Sequence, residues 1–345
     1  MPRTLRIAAA QMGATNRTDT RPHTLSRMIS LLDHAASLGT QLIVYPELAF
    51  TTFFPRYLIH DPTELESWYE RGDITKNEET KALFDRAREV GVDVCVGFGE
   101  SEEGPGGKHF NTCVYYCAKT GSILAKYRKI HLPGTVEPFD DPKAINQLEK
   151  RYFLPGDLGF EAFRAPSLLT EEEAAPIMGM LICNDRRWSE SWRVLGLQGV
   201  EVVLCGYNTP SYAPHLWGRF DLSPTESASL ALFQHKLSMQ AHSYTNACYS
   251  VSAARAGLDD GEFHLIGGSC VVDPEGRIVA EAKGEGDEVV FAEVDLGVYG
   301  GCRTSSRVNP SSSSSSTLYG CTFRSQCPRQ KKIIIIASSN IVSSS

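Results

Sequence analysis

The chain has 345 residues, 42% of them hydrophobic and 22% charged, with a formal net charge of −7. Those values exclude a disordered chain, a collagen and a coiled-coil rod. The charge is unevenly divided: residues 301–345 hold six basic side chains and no acidic one, so the first 300 residues carry 28 basic against 41 acidic side chains, a net −13. Such an acidic body argues against a nucleic-acid partner, which calls for clustered Lys and Arg.

No apolar run approaches the roughly 18 residues that would span a membrane, and Met1–Gln11 lacks the layout of a signal peptide. The ten cysteines are scattered, with no CxxC pair and no HExxH. They read as reduced thiols in a cytoplasmic protein, and no metal site is expected.

In chain order, Leu5–Met12 reads as a buried strand. A helix follows Thr20, with Leu25, Met28, Leu32 and Ala35 on one face, and stops at Gly39. Gln41–Pro46 is a second strand. Asn77 can cap a helix through Leu83, Phe84, Ala87 and Val90, ended by Gly91. Val92–Gly97 is a third strand. Phe110–Ala118 and Ser122–Arg128 flank the turn Lys119-Thr120-Gly121. After a long loop come a strand at Met178–Ile182, a helix from Ser189 to Gly199, a strand at Val200–Cys205 and a long helix at Glu226–Tyr244. Four short strands then close the body, at Cys248–Ala254, Ser269–Asp273, Arg277–Ala282 and Val289–Val294. This alternation predicts an α/β fold, with mixed sheets covered by helices.

Composition changes near Leu296. Residues 301–345 hold 14 serines, six of them consecutive at Ser311–Ser316, and the apolar run Ile333–Ile336. The reading is a body over residues 1–296 and a Ser-rich, poorly ordered tail over 297–345.

Three reactive side chains stand where apolar strands stop: Glu47, Lys129 and Cys183. In sheet proteins covered by helices, sites collect at strand ends. A thiol, a carboxylate to take its proton and an ammonium to hold an oxyanion would together carry out acyl transfer to water. Taken singly, each has a plainer reading: a buried small residue, a salt-bridge carboxylate, a solvated basic cluster. Local spacing does not link them. There is no GxxxxGK[ST] loop, no GxGxxG after a strand and no GxSxG elbow.

The segments Tyr45-Pro46-Glu47, Tyr127-Arg128-Lys129 and Cys183-Asn184-Asp185 resemble the Glu–Lys–Cys signature of the nitrilase superfamily. Five longer segments are similar to its N-carbamoyl-D-amino acid hydrolase branch: PELAFTTFFPR (Pro46–Arg56), KYRKIHLPG (Lys126–Gly134), LEKRYFLPGDLGF (Leu148–Phe160), CNDRRWSESWR (Cys183–Arg193) and GYNTP (Gly206–Pro210). The resemblance runs over residues 5–296. It implies a four-layer αββα sandwich, a homodimer or homotetramer, and no cofactor.

For the site, the resemblance implies Glu47 as general base, Lys129 as oxyanion cation, Cys183 as nucleophile and Glu149 as a further carboxylate orienting the lysine. It also implies that Asn184 lines the carbamoyl site, and that Arg186 and Arg187 grip a substrate carboxylate beside Asn208 and Thr209. His131 would lie behind them. The implied reaction converts an N-carbamoyl-D-amino acid to the D-amino acid, ammonia and carbon dioxide. Two departures stand out. Gln147 occupies the place of a family histidine, and the chain after Leu296 has no family counterpart. The alternatives are another amidase or a β-ureidopropionase-like hydrolase of the superfamily, or a non-catalytic chain whose altered C-terminus impairs assembly. Leu216, Trp217 and Phe220, after GYNTP, read as packing residues that could instead line the pocket.

Overall fold

In the apolar strands of the body, successive side chains point to opposite faces, so a strand buried on both sides must be apolar at every position. The first strand, Thr4–Gln11, does this over Ile7–Ala10, after Thr4 and Arg6 stand exposed at its start. Leu5, Ile7 and Ala9 enter one core, whereas Ala8 and Ala10 enter another. Leu42 and Val44 divide from Ile43 in the same way, as Cys95 does from Val94 and Val96. The computed structural model describes residues 3–102, 107–169 and 175–298. The chain divides into the units Met1–Arg307 and Val308–Ser345, and the second lies wholly outside the described residues. The Ser-rich tail expected at 297–345 therefore lies outside them from residue 299 onward.

One sheet runs in the order Glu288–Asp295, Thr4–Gln11, Leu42–Val44, Asp93–Ser101, His109–Cys117, Ser122–Arg128. The other runs Ile278–Glu281, Cys270–Val272, Tyr249–Ala254, Val202–Tyr207, Ile177–Ile182, Phe163–Arg164. Parallel pairing, such as Ile7 with Leu42 and Met178 with Val202, places several C-terminal strand ends at one edge of each sheet.

Helices Arg21–Ser37 and Lys81–Val90 lay Leu25, Met28, Leu32, Leu83, Phe84 and Ala87 on the outer face of the first sheet. Helices Ser189–Leu197 and Pro224–Asn246 bring Trp192, Leu195 and Met239 to the second. The inner faces share one core, with Leu5, Ile7 and Val44 alongside Leu181, Leu204 and Val251. The result is a four-layer αββα sandwich. No described helix is long and apolar enough to cross a membrane.

Two expectations need correction. The helix placed from Asn77 begins at Lys81; Asn77 instead closes the preceding turn, its Oδ1 accepting from Glu79 N at 3.0 Å. Gly91 does end that helix, in the left-handed region at φ 72°. The strand placed over Gln41–Pro46 is only Leu42–Val44, consistent with the missing N–H of proline. The sequence reading also missed a hairpin, Ala256–Asp259 with Phe263–Ile266. Its turn contains Asp260 at φ 53° and Gly261 at φ 70°, an Asp-Gly signal inside a stretch of weak alternation.

Candidate active site

Strand ends position the reactive groups. Lys129 directly follows Ser122–Arg128, Cys183 follows Ile177–Ile182, and Asn208 follows Val202–Tyr207. Glu47 lies three residues past Leu42–Val44. The backbone around Glu47 is pinched between the two sheets. A Cβ on Gly97 would come within 2.9 Å of Glu47 Cα, and one on Gly206 within 2.7 Å of Glu47 N. Only glycine permits this approach from either side.

Glu47, Lys129 and Glu149 are each fully buried. The Lys129 ammonium donates to Glu47 Oε1 and to Glu149 Oε2, each at 2.6 Å. Asn111 Nδ2 donates to the same Glu47 oxygen at 2.7 Å. Gln147 Nε2 donates to the other Glu149 oxygen at 2.9 Å. Two buried carboxylates thus share one cation. Burial pushes the Glu149 carboxyl up to about 7, against the pull of Lys129. Burial also works against the Lys129 charge, but Cys183, Glu149 and Glu47 outweigh it and hold the ammonium above its ordinary value. Lys129 is therefore a permanent cation.

Cys183 sits at φ 47°, a left-handed conformation that is strained for any side chain but glycine. It opens the 3-10 turn Cys183–Arg187, so its thiol leaves the strand at a sharp angle. Its Sγ donates to Asn208 O at 3.2 Å, while Asn208 N donates to Glu47 Oε2 at 3.1 Å. One residue thus separates thiol from carboxylate. Burial pushes the Cys183 thiol up to about 12, with Glu47 adding to the rise and Lys129 opposing it. The resting group is a thiol, which needs a base.

Beside the thiol opens a cavity of about 480 Å³, lined by Cys183, Asn184, Arg186, Arg187, Asn208 and Thr209 among others. Arg186 is buried. Its Nη1 donates to Cys183 O at 2.7 Å and its Nη2 to Thr209 Oγ1 at 2.9 Å, and its guanidinium lies 4.4 Å from the Tyr207 ring centre. Arg187 is exposed at the cavity wall. Neither arginine forms an ion pair with a carboxylate among the described residues. Asn184 Nδ2 donates to His131 O at 3.1 Å. Leu216 and Trp217 also line the cavity, whereas Phe220 is largely exposed and meets His215 edge-on.

A family model described as "Carbon-nitrogen hydrolase" matches residues 6–304. The chain belongs to the carbon-nitrogen hydrolase family. The match runs past Leu296, where composition alone placed the end of the body. Among relatives, a nitrilase of Pyrococcus abyssi is 29% identical over 79% of this chain and 83% of its own. An omega-amidase of Mus musculus is 28% identical over 85% of this chain and 89% of its own. An N-carbamoylputrescine amidase of Arabidopsis thaliana is 29% identical over 77% and 79%.

Among solved structures, a carbon-nitrogen hydrolase from Helicobacter pylori G27 superposes with a TM-score of 0.69 at 23% identity, covering 88% of this chain and 93% of that one. A mutant amidase from Nesterenkonia sp. AN1, with an acetamide moiety joined to its active-site cysteine, superposes at 0.61 and 20% identity over 86% and 92%. At these identities the likeness is one of fold. Amidase-type hydrolysis of a non-peptide C–N bond is the activity the family carries.

Two supporting residues in this hydrolase escaped the sequence reading. Asn111 stands within His109–Cys117, 64 positions from the Glu47 it bonds, and nothing local marks it. Asp185 was visible in Cys183-Asn184-Asp185 but had no role assigned. It is fully buried and accepts from Tyr127 OH at 2.8 Å, Ile182 N at 3.1 Å and His131 N at 3.0 Å. It thus ties the lysine strand to the cysteine turn. A larger depression of about 850 Å³, near Thr4, Gln41, Lys119 and Leu168, contains none of the four candidate catalytic residues.

Proposed function

We propose that this chain hydrolyses N-carbamoyl-D-amino acids. One observation carries the substrate class: two guanidinium groups, Arg186 and Arg187, line the cavity beside Cys183 without a carboxylate partner among the described residues. Guanidinium forks bind carboxylates bidentately. A substrate acid anchored there, with Asn208 and Thr209 beside the arginines, would present its ureido carbon to the thiol, with Asn184 at the carbamoyl end. His131 supports Asn184 from behind through its carbonyl.

In this reading Glu47 takes the proton of Cys183, and the thiolate attacks the ureido carbon. Lys129 stabilises the resulting oxyanion, and Glu149 holds Lys129 in place. The intermediate collapses as Glu47 returns the proton to the leaving nitrogen. Ammonia departs, and a thioester-like adduct remains on Cys183. Glu47 then deprotonates a water, which displaces the thiolate. The released N-carboxy amino acid loses carbon dioxide to give the free D-amino acid. The preference for the D-form rests on the resemblance of the five sequence segments. Fixed ends on one substrate supply the geometry by which handedness is read.

A carboxylate-bearing amide would meet the same groups, and the name of the omega-amidase relatives favours keeping it as a second reading. Ammonia release from D-, L- and β-ureido acids beside such an amide decides between them. The proposal includes a cytoplasmic homodimer or homotetramer with residues 1–296 as its catalytic body. Exposed Phe233, Leu237 and Tyr244 on the helix Pro224–Asn246 support an assembly. Size-exclusion of the chain with and without residues 297–345 tests what the tail does to it.

A further inference from the structure

Arg255 directly follows the strand Tyr249–Ala254 and is fully buried. A buried guanidinium is expensive unless its donors are satisfied. Among the described residues it bonds no carboxylate. Its Nη2 donates to Leu48 O at 3.1 Å, to Ala49 O at 2.9 Å and to Thr51 O. Its Nη1 donates to Thr15 Oγ1. One side chain of the second sheet therefore gathers three carbonyls of the turn that follows Glu47 in the first.

That turn needs holding. Leu48 lies at φ 50°, a left-handed conformation that persists only where surrounding structure enforces it. On the other side of the peptide, Asn208 Nδ2 donates to Glu47 O at 2.9 Å. The Glu47 carbonyl and the turn that follows it are thus both tied to residues at strand ends of the second sheet, which also carries Cys183. Arg255 itself is anchored at the seam between the sheets. Met12 N donates to Ala254 O at 3.0 Å, and Ala256 N donates to Met12 O at 2.9 Å.

We infer that Arg255 is a positioning residue: it holds the turn Leu48–Thr51 and thereby aims the Glu47 carboxylate at Lys129 and Cys183. The inference rests on the reading of Glu47 as the base. It does not depend on the D-carbamoyl substrate.

The test compares the full chain as wild type, Arg255→Lys, Arg255→Met and Thr15→Val, with folding checked by circular dichroism. For each, kcat and KM are measured by ammonia release from N-carbamoyl-D-phenylalanine and from succinamate. Turnover of succinamate alone would remove the D-carbamoyl reading, and Arg255 would then be judged on that amide. A base displaced by an ångström loses about 100-fold, so Arg255→Met is expected to lower kcat by about that factor. Lysine retains a charge and part of the carbonyl contacts, so Arg255→Lys is expected to lose about tenfold. KM stays within about threefold in both, because the guanidinium is not part of the cavity lining.

Thr15→Val removes one acceptor from the other arm of Arg255. It lowers kcat about threefold, the worth of one net hydrogen bond, and decides the matter if Arg255→Met fails to fold. Folded Arg255 variants with unchanged kcat, or a loss confined to KM, would overturn the inference. A folded Thr15→Val with unchanged kcat beside an unfolded Arg255→Met would do the same. A wild type silent on both substrates removes the Glu47 reading and this inference with it.

Discussion

Asp185 Oδ1 accepts from both the backbone N–H of His131, at 3.0 Å, and its ring Nδ1, at 2.8 Å. The residue two places after Cys183 thereby grips the residue two places after Lys129. The other oxygen of the same carboxylate takes Tyr127 OH and Ile182 N. All four donors flank the two groups that the proposed mechanism must hold at a set distance.

Asp185→Asn replaces an acceptor-only group with one that can accept at a single oxygen. At least one buried donor is left unpartnered, at a cost of about 1–3 kcal/mol. Unfolding in urea should show that loss, and kcat should fall about tenfold as the cysteine turn and lysine strand shift. Unchanged stability and turnover would mean that the carboxylate serves neither purpose.

Arg186 and Arg187 separate by burial. Arg187→Leu should raise KM about tenfold or more, since a hydrogen bond to a charged group is worth about 1.5–3 kcal/mol. Its exposed position predicts little change in thermal midpoint. Arg186→Leu should raise KM and also lower the midpoint, because it leaves Cys183 O and Thr209 Oγ1 without their donor. Paired kinetics and melting curves separate the two. Wild-type KM in both variants would place the substrate acid elsewhere.

Glu149 carries a pH signature. Burial holds its carboxyl at about 7 against an ordinary 4.5. Between those values the unfolded chain has released this proton and the folded chain still holds it. The folded state binds more protons there, so stability falls as pH rises through the window, and this group adds no slope outside it. The total is at most about 3 kcal/mol. Glu149→Gln has no such proton. Urea unfolding of both at pH 5 and pH 7.5 should therefore move the difference in the variant's favour as pH rises. A constant difference, or one moving the other way, would contradict the buried-carboxyl account.

The Cys183 thiol, held up to about 12 by burial, should alkylate slowly in the resting protein. Its rate with iodoacetamide, followed by mass spectrometry, should still be climbing at pH 10, because the thiolate is the reacting species. A plateau below pH 8 would mean that the thiolate is preformed and that Glu47 need not act as base in the first step.

The sequence carried the parts of the candidate site that lie at strand ends. Glu47, Lys129 and Cys183 each terminate an apolar run, and the structure brings Glu47 and Lys129 to 2.6 Å. What it did not reveal are the residues whose work is done across the fold. Asn111 reaches Glu47 over 64 positions, and Arg255 reaches Leu48 over 207. Neither position is distinguished by periodicity or by local motif. The first strand was legible because Ile7–Ala10 are buried on both faces and so form a continuous apolar run. The Asn77 helix start failed because asparagine's side chain serves a turn as readily as a helix cap, and here it bonds Glu79 N within a turn. Arg186 and Arg187 read as a like pair in sequence, and only packing showed one turned inward under Tyr207 and the other left at the cavity wall.

The central claim is tested most directly by ammonia release from N-carbamoyl-D-phenylalanine and its L-enantiomer, with wild type and Cys183→Ala measured side by side. The account predicts release from the D-form, little from the L-form, and none from either with Cys183→Ala. Turnover retained in Cys183→Ala, or equal release from the two enantiomers, would contradict it.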